Sequence, residues 1–178
     1  MRVVIADDEY LVRVSLRSMI SELQLPIEII GEATNGEEFV NLIKSCNPDV
    51  AFVDIKMPKL NGLEAIKAAK SLSPNTKWII LTGFSEFNYA KEAIKLGASN
   101  YLLKPASPEE LQQVLEELFK RSKEYNAILN TEFENNLIAL VHDLNTFSDS
   151  SKTTFTSSAR CLSYIFALAK NKNSFDFP

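Results

Sequence analysis

Three short stretches place carboxylates and one lysine where they could act together. They are Ala6-Asp7-Asp8-Glu9, Val53-Asp54-Ile55-Lys56-Met57-Pro58 and Tyr101-Leu102-Leu103-Lys104-Pro105. Each includes or follows an apolar run of strand length. In a parallel sheet each would lie at the carboxyl end of its strand, where open α/β folds place their sites. Converging carboxylates beside one lysine suit a magnesium ion and a phosphoryl group. Magnesium prefers octahedral oxygen ligands, keeps several waters, and takes one or two carboxylates plus a phosphate. Asp8 and Asp54 can ligate directly and Asp7 through water, with the backbone carbonyl of Lys56 completing the set. Without a cation, carboxylates this close would repel and raise one another's pKa.

Phosphoryl transfer to a carboxylate needs an in-line nucleophile and neutralised oxygens. Asp54, alone at the centre of the expected sheet, is the nucleophile this reading selects. Lys104 can pair with one phosphoryl oxygen as a point charge. Thr82 offers a hydroxyl to another, and Gly83 beside it leaves room. Pro105 could take the cis form and aim the lysine. Singly, these features are ordinary. An Asp-Asp pair is often a solvated turn or a helix cap, and Lys-Pro is a common dipeptide. Their order, each at a strand end, carries the chemistry.

For these residues to meet, strands and helices must alternate, and the pattern does. Residues 2–6 form a short buried strand. Residues 9–23 carry helical spacing, with Val12, Leu16, Met19, Ile20 and Leu23 on one face, and Pro26 breaks it. A second strand spans 27–33. Asn35-Gly36 turns into a helix bearing Phe39, Val40 and Ile43, ended by Asn47-Pro48. Val50 to Val53 is a continuous apolar strand of the kind covered on both faces. A helix with Leu63, Ile66, Ala69 and Leu72 follows, then a strand over 78–81. A helix over 85–96 stops at Gly97, and a fifth strand spans 100–103. Ser107-Pro108-Glu109-Glu110 is a helix start, with Ser as cap and Pro at the first helical position. The expected class is α/β: a doubly wound five-stranded parallel sheet in the flavodoxin-like order 2-1-3-4-5, helices on both faces, and a helical C-terminal extension. That order makes strands 1 and 3 neighbours and brings Asp7, Asp8 and Asp54 together.

The last helix has two readings. Leu111, Leu115, Leu118, Ser122, Tyr125 and Leu129 keep a 3-4 spacing, resumed by Phe133, Leu137, Leu140 and Leu144 after a one-residue slip. This is either a coiled-coil seam between two chains or an amphipathic helix packed on its own domain and followed by a second. The expected organisation is a sheet domain over 1–121, a helical extension or coiled-coil linker over 122–144, and a linker and short tail of unknown role over 145–178. Residues 145–158 are rich in Ser and Thr, and 160–170 look helical.

Composition narrows the function classes. The chain has 178 residues, 46% of them apolar, enough for one packed domain plus an extension. A formal net charge of −4 argues against direct nucleic-acid binding by this chain. Cys46 and Cys161 lack metal-ligand spacing, Cys46 reads as a small core residue, and the single His142 excludes a multi-histidine centre. A reducing, cytoplasmic setting fits. The start does not read as a signal peptide. The apolar stretch over 162–169 is short of the ~20 residues that span a bilayer, so no membrane partner is expected.

Val4-Ile5-Ala6-Asp7-Asp8-Glu9, Pro48-Asp49-Val50, Asp54-Ile55-Lys56-Met57-Pro58, Asn61-Gly62, Leu81-Thr82-Gly83, Gly97-Ala98 and Tyr101-Leu102-Leu103-Lys104-Pro105 together resemble the CheY-like receiver domain of two-component response regulators. The resemblance covers residues 1 to about 121, and no pocket position departs from the pattern. It implies that Asp54 accepts phosphate from a histidine kinase, with Asp7 and Asp8 in the magnesium pocket. It also implies that Thr82 moves toward the phosphate and Tyr101 turns inward. The result would be a switch, with no enzyme activity beyond self-catalysed phosphoryl acceptance and autodephosphorylation. The run from Gly83 to Ile94 resembles YesN-like regulators that carry an AraC-type DNA-binding domain. Such a domain needs two helix-turn-helix units, and 160–170 does not look like one. The expectation is therefore a fragment, a truncated product, or a receiver with an unrelated tail.

Three other readings compete. A haloacid-dehalogenase-like phosphatase also uses an Asp nucleophile with magnesium, but places it after the first strand in an Asp-x-Asp pattern. A flavin-binding protein of the same fold would need a Ser/Thr-rich phosphate loop after strand one, where this chain has acids. A constitutive dimerisation scaffold would leave the acid pocket without a role.

Overall fold

The computed structural model describes residues 1–83, 89, 93 and 95–150, the last ten by their backbone alone. Five strands, β1 (Arg2–Ala6), β2 (Glu28–Ala33), β3 (Val50–Asp54), β4 (Lys77–Thr82) and β5 (Asn100–Leu103), pair in parallel in the order β2-β1-β3-β4-β5. Among the described residues, four helices have set bounds: α1 (Tyr10–Glu22), α2 (Gly36–Cys46), α3 (Gly62–Ala69) and α4 (Pro108–Ser150). This is the doubly wound sheet that the sequence predicts.

Period-two alternation along the strands builds two cores. Val4, Ala6, Ala51, Val53, Trp78 and Ile80 face α2 and α3, which contribute Phe39, Ile43, Leu63 and Ile66. Val3, Ile5, Val50, Phe52, Ile79 and Leu81 face α1 and α4, which contribute Leu16, Ile20, Leu111 and Leu115. Every residue of β3 is buried, so neither face of the central strand can be polar except at its end. Each fully buried Val, Leu, Ile or Phe contributes about 1.5–3 kcal/mol, and this burial is the main drive for layering. Phe39 meets Trp78 edge to face, with ring centroids 6.1 Å apart.

The helix ends are set by local chemistry. The Asn35 side chain accepts from the Glu38 amide at 3.0 Å, and Asn61 with Glu64 forms a reciprocal capping box. The Ser107 hydroxyl accepts from the Glu110 amide at 3.2 Å, as expected of the cap of α4. Gly97 has φ +80°, and the Ala98 amide reaches back to the Ala93 carbonyl at 3.0 Å. That is a left-handed helix stop, as the sequence predicts. Residues 89, 93 and 95 are helical, and the rest of the helix predicted over 85–96 lies outside the described residues.

Four expectations change. The helix over 62–69 ends before Leu72, which is 41% exposed, because the chain turns there on bonds from Leu72 and Ser73 to the Ala69 carbonyl. Cys46 is half-buried, not core, because it closes α2 and its Sγ lies beside the Ser45 hydroxyl. Leu111, Leu115 and Leu118 are buried in the sheet domain's own core, so the packed reading holds for this stretch and the intermolecular seam does not. α4 runs unbroken to Ser150, six residues into the expected linker. Ser, Thr and Asn cost only tenths of a kcal/mol each relative to better helix formers, and extending an existing helix avoids the nucleation cost. Beyond Ser122, Tyr125, Leu129, Phe133 and Leu140 are exposed. The linker over 151–158, the helix over 160–170 and Cys161 lie outside the described residues. By contact the chain divides into two units, Met1–Arg121 and Ser122–Pro178. Among the described residues, no helix is long and apolar enough to cross a membrane.

Candidate functional site

The register of β1 with β3 aligns Ala6 with Val53, so the residues that follow, Asp7 and Asp54, stand side by side. Asp7 is fully buried and Asp54 is 4% exposed, while Asp8 is exposed. One oxygen from each of the three lies within 4.8 Å of the others. Asp7 is therefore no solvated turn. Its amide donates to the Ala33 carbonyl at 3.1 Å, and its Oδ1 accepts from the Glu9 amide at 2.9 Å. The helix cap reading fails too, since no side chain caps α1.

Lys104 enters from the far edge of the sheet. Its amide donates to the Thr82 carbonyl at 2.8 Å, and the Lys104–Pro105 bond is cis. Its Nζ lies 2.7 Å from Asp7 Oδ2, 2.9 Å from Asp54 Oδ2 and 3.4 Å from Glu9 Oε1. The contact with Asp7 Oδ2 is an ion pair made to a fully buried oxygen. A buried carboxylate oxygen so placed, beside two more acids, fits the oxygen set of a hard divalent cation.

The electrostatics follow from burial and sharing. Loss of water raises the Asp54 pKa to about 6; the hydrogen bond from Lys104 opposes this, and the Asp7 charge adds to it. Burial also raises Asp7, against the same lysine and the Glu9 amide. Burial works against the Lys104 charge, but its bonds to Asp7 and Asp54 prevail, so its pKa rises. One ammonium thus serves two carboxylates and satisfies neither in full. The Lys56 amide also bonds the Asp54 carboxylate.

The neighbours define the space. Gly62 opens α3 hard against β3: a Cβ there would lie 2.0 Å from the Asp54 carbonyl oxygen. Thr82 is buried at the end of β4, with its hydroxyl donating to the Gly83 carbonyl at 3.2 Å. Among the described residues, a Cβ on Gly83 would meet nothing within 4 Å. Tyr101, on β5, is 42% exposed. A cleft of about 410 Å³ adjoins the acids, lined by Asp8, Lys56, Met57, Asn61 and Tyr89 among others. Of the residues singled out in the sequence, Asp7, Asp8, Asp54 and Lys104 meet directly.

Sequence reasoning missed two members. Glu9 gives Lys104 a third acidic contact, and Arg13 donates to the Asp7 carbonyl at 2.8 Å. The signal for Arg13 was present: it shares the buried stripe of α1 with Leu16 and Ile20, where a charge is out of place.

A parallel sheet in this order, with an acid cluster and a lysine at its carboxyl edge, defines the receiver class of signalling domain. The chain belongs to the response regulator receiver domain family, whose profile matches residues 3–116. It is 38% identical over 122 residues to the uncharacterized transcriptional regulatory protein YesN of Bacillus subtilis (strain 168), covering 68% of this chain and 33% of that one. It is 39% identical over 122 residues to the chemotaxis protein CheY of Thermotoga maritima, covering 68% of this chain and 98% of that one. The REC domain of AraT, a response regulator from Geobacillus stearothermophilus, superposes with a TM-score of 0.67 at 38% identity, covering 70% of this chain and 97% of that one. The chain spans a third to a half of the length of three Bacillus subtilis regulatory proteins that it matches. Receiver domains bind Mg²⁺ at an acidic pocket, and Asp7, Asp8 and Asp54 form such a group here.

Proposed function

We propose that this chain is a phosphorylation-controlled switch that accepts a phosphoryl group on Asp54 from a histidine kinase. The observation that carries this reading is the buried Asp54 carboxylate beside Asp7 and Asp8, with Lys104 Nζ at 2.9 Å. An Asp54 oxygen attacks phosphorus in line. The bond from phosphorus to the donor imidazole nitrogen breaks, its electron pair leaves with that nitrogen, and an acyl phosphate forms. Asp7, Asp8, Asp54 and the Lys56 carbonyl are the residues that would hold magnesium. When bound, the ion supplies charge neutralisation for the carboxylates and the phosphoryl oxygens. Lys104 pairs with one phosphoryl oxygen and the Thr82 hydroxyl with another. Thr82 and Tyr101 then serve as the switch, turning acceptance into a change of surface. The likeness to transcriptional regulatory proteins supports transcriptional regulation as the output of a longer protein. The net charge of −4 supports no direct nucleic-acid contact by this chain, and its two cysteines without a disulfide framework support a cytoplasmic setting.

A homodimer belongs to the same reading. The exposed Tyr125 and Leu129 on α4 keep the 3-4 spacing of a helix-pairing stripe beginning after Ser122, and Phe133 and Leu140 resume it after a one-residue slip.

The test of the switch is intact-mass spectrometry after incubation with acetyl phosphate and magnesium. Wild type should gain one phosphoryl adduct, and Asp54→Asn none. An adduct that persists in the variant would remove Asp54 from its role. No adduct on wild type, from acetyl phosphate or from a phosphorylated kinase, would favour the scaffold.

A further inference from the structure

We propose that Arg13 is a positioning residue: it fixes the peptide between Asp7 and Asp8 so that both carboxylates address a divalent cation, and Glu32 holds it in place. This rests on the reading of the acid cluster as a magnesium site.

Arg13 is 9% exposed, and arginine is almost never buried unless paired. Its Nε donates to Glu32 Oε2 at 2.9 Å. Its Nη1 donates to the Asp7 carbonyl at 2.8 Å and approaches the Asp8 carbonyl at 3.5 Å. The guanidinium carbon lies 5.7 Å from the centre of the Tyr10 ring. Arg17 takes the other Glu32 oxygen at 3.2 Å but is 52% exposed.

A simple clamp between α1 and β2 would need only the bond to Glu32. The bond to the Asp7 carbonyl is separate, and it falls on the one peptide that joins two proposed ligands. Because a peptide is planar, holding its oxygen fixes the direction in which the chain leaves toward Asp8. Asp7 is already held on its other side by the bond from its amide to Ala33. The two bonds together fix the turn that presents both acids. A guanidinium suits this role because its rigid fork serves a carbonyl and a carboxylate at once, whereas a lysine ammonium is a point charge.

Groups that orient metal ligands typically carry 10–100-fold in metal affinity. The experiment is calorimetric titration of the full chain with Mg²⁺, with thermal melts in EDTA run alongside. Arg13→Gln should raise the magnesium Kd about tenfold. Arg13→Lys should recover part of the loss, Glu32→Gln should weaken binding less than Arg13→Gln, and Arg17→Gln should bind as wild type does. A purely structural role would shift the melts and leave the Kd unmoved, and that result overturns the proposal. If Arg13→Gln fails to fold, Glu32→Gln decides, and wild-type affinity there overturns it too. An Arg17→Gln that weakens binding as much as Arg13→Gln shows that loss of any Glu32 partner suffices and does the same, since net charge alone would tighten cation binding when either arginine is lost. A wild type that takes up no magnesium overturns the site reading itself, which is a distinct outcome.

Discussion

Asp54 sits where burial and charge pull against each other. Its pKa rises from the ordinary 3.8 to about 6 in the folded chain. Between those values the folded state keeps a proton that the unfolded state has lost, so stability falls as pH rises through the window and stays lower above it. Asp54→Asn, free of this cost, should be more stable than wild type at neutral pH in EDTA by about 1 kcal/mol. The gap should close toward pH 4, read by melts across the range; a gap that widens as pH falls contradicts the assignment. Lys104→Ala should leave magnesium binding in place and separate phosphorylation from its surface change. A variant that still shows the full phosphorylation-dependent shift in its amide spectrum counts against that role. The acids and the lysine were legible in the sequence because each ends an apolar strand, and strand ends are countable. Arg13 was legible only as a charge out of place on the buried stripe of α1; its partner was not, because that partner is a carbonyl and a sequence shows side chains only.

Among the elements, α3 carries the sharpest demand. Gly62→Ala would drive a Cβ against the Asp54 carbonyl and should destabilise the chain by about 3 kcal/mol while impairing phosphoryl acceptance. Gly83→Ala, whose Cβ would meet no described residue within 4 Å, should change stability by no more than about 0.5 kcal/mol. Denaturant titration of both compares them directly, and equal effects would defeat the packing argument. Caps and breakers made most boundaries legible: Asn35, Asn61, Gly97 and Ser107 each act where their chemistry says. Leu72 was misplaced because helical spacing persists past Ala69, while the backbone turns on carbonyl bonds that spacing does not register.

At the scale of the molecule, one helix reads two ways along its length. Leu118 is core, so Leu118→Asp should disrupt the sheet domain and says nothing about association. Leu129 is 42% exposed, and Leu129→Asp should convert a dimer to a monomer by light scattering without lowering the melting temperature. An unchanged mass removes the pairing stripe. The 3-4 spacing made the helix legible but not its partners, because an inward and an outward apolar face share one period.

Lys104 is pegged by its backbone to Thr82, at the rim of the sheet, and tied by its ammonium to the acids at the centre. Its four-carbon stem acts as a line across β4. If Asp54 accepts a phosphoryl group as proposed, the new anion would compete for that ammonium. The rim at β5 would then register an event in the interior as tension.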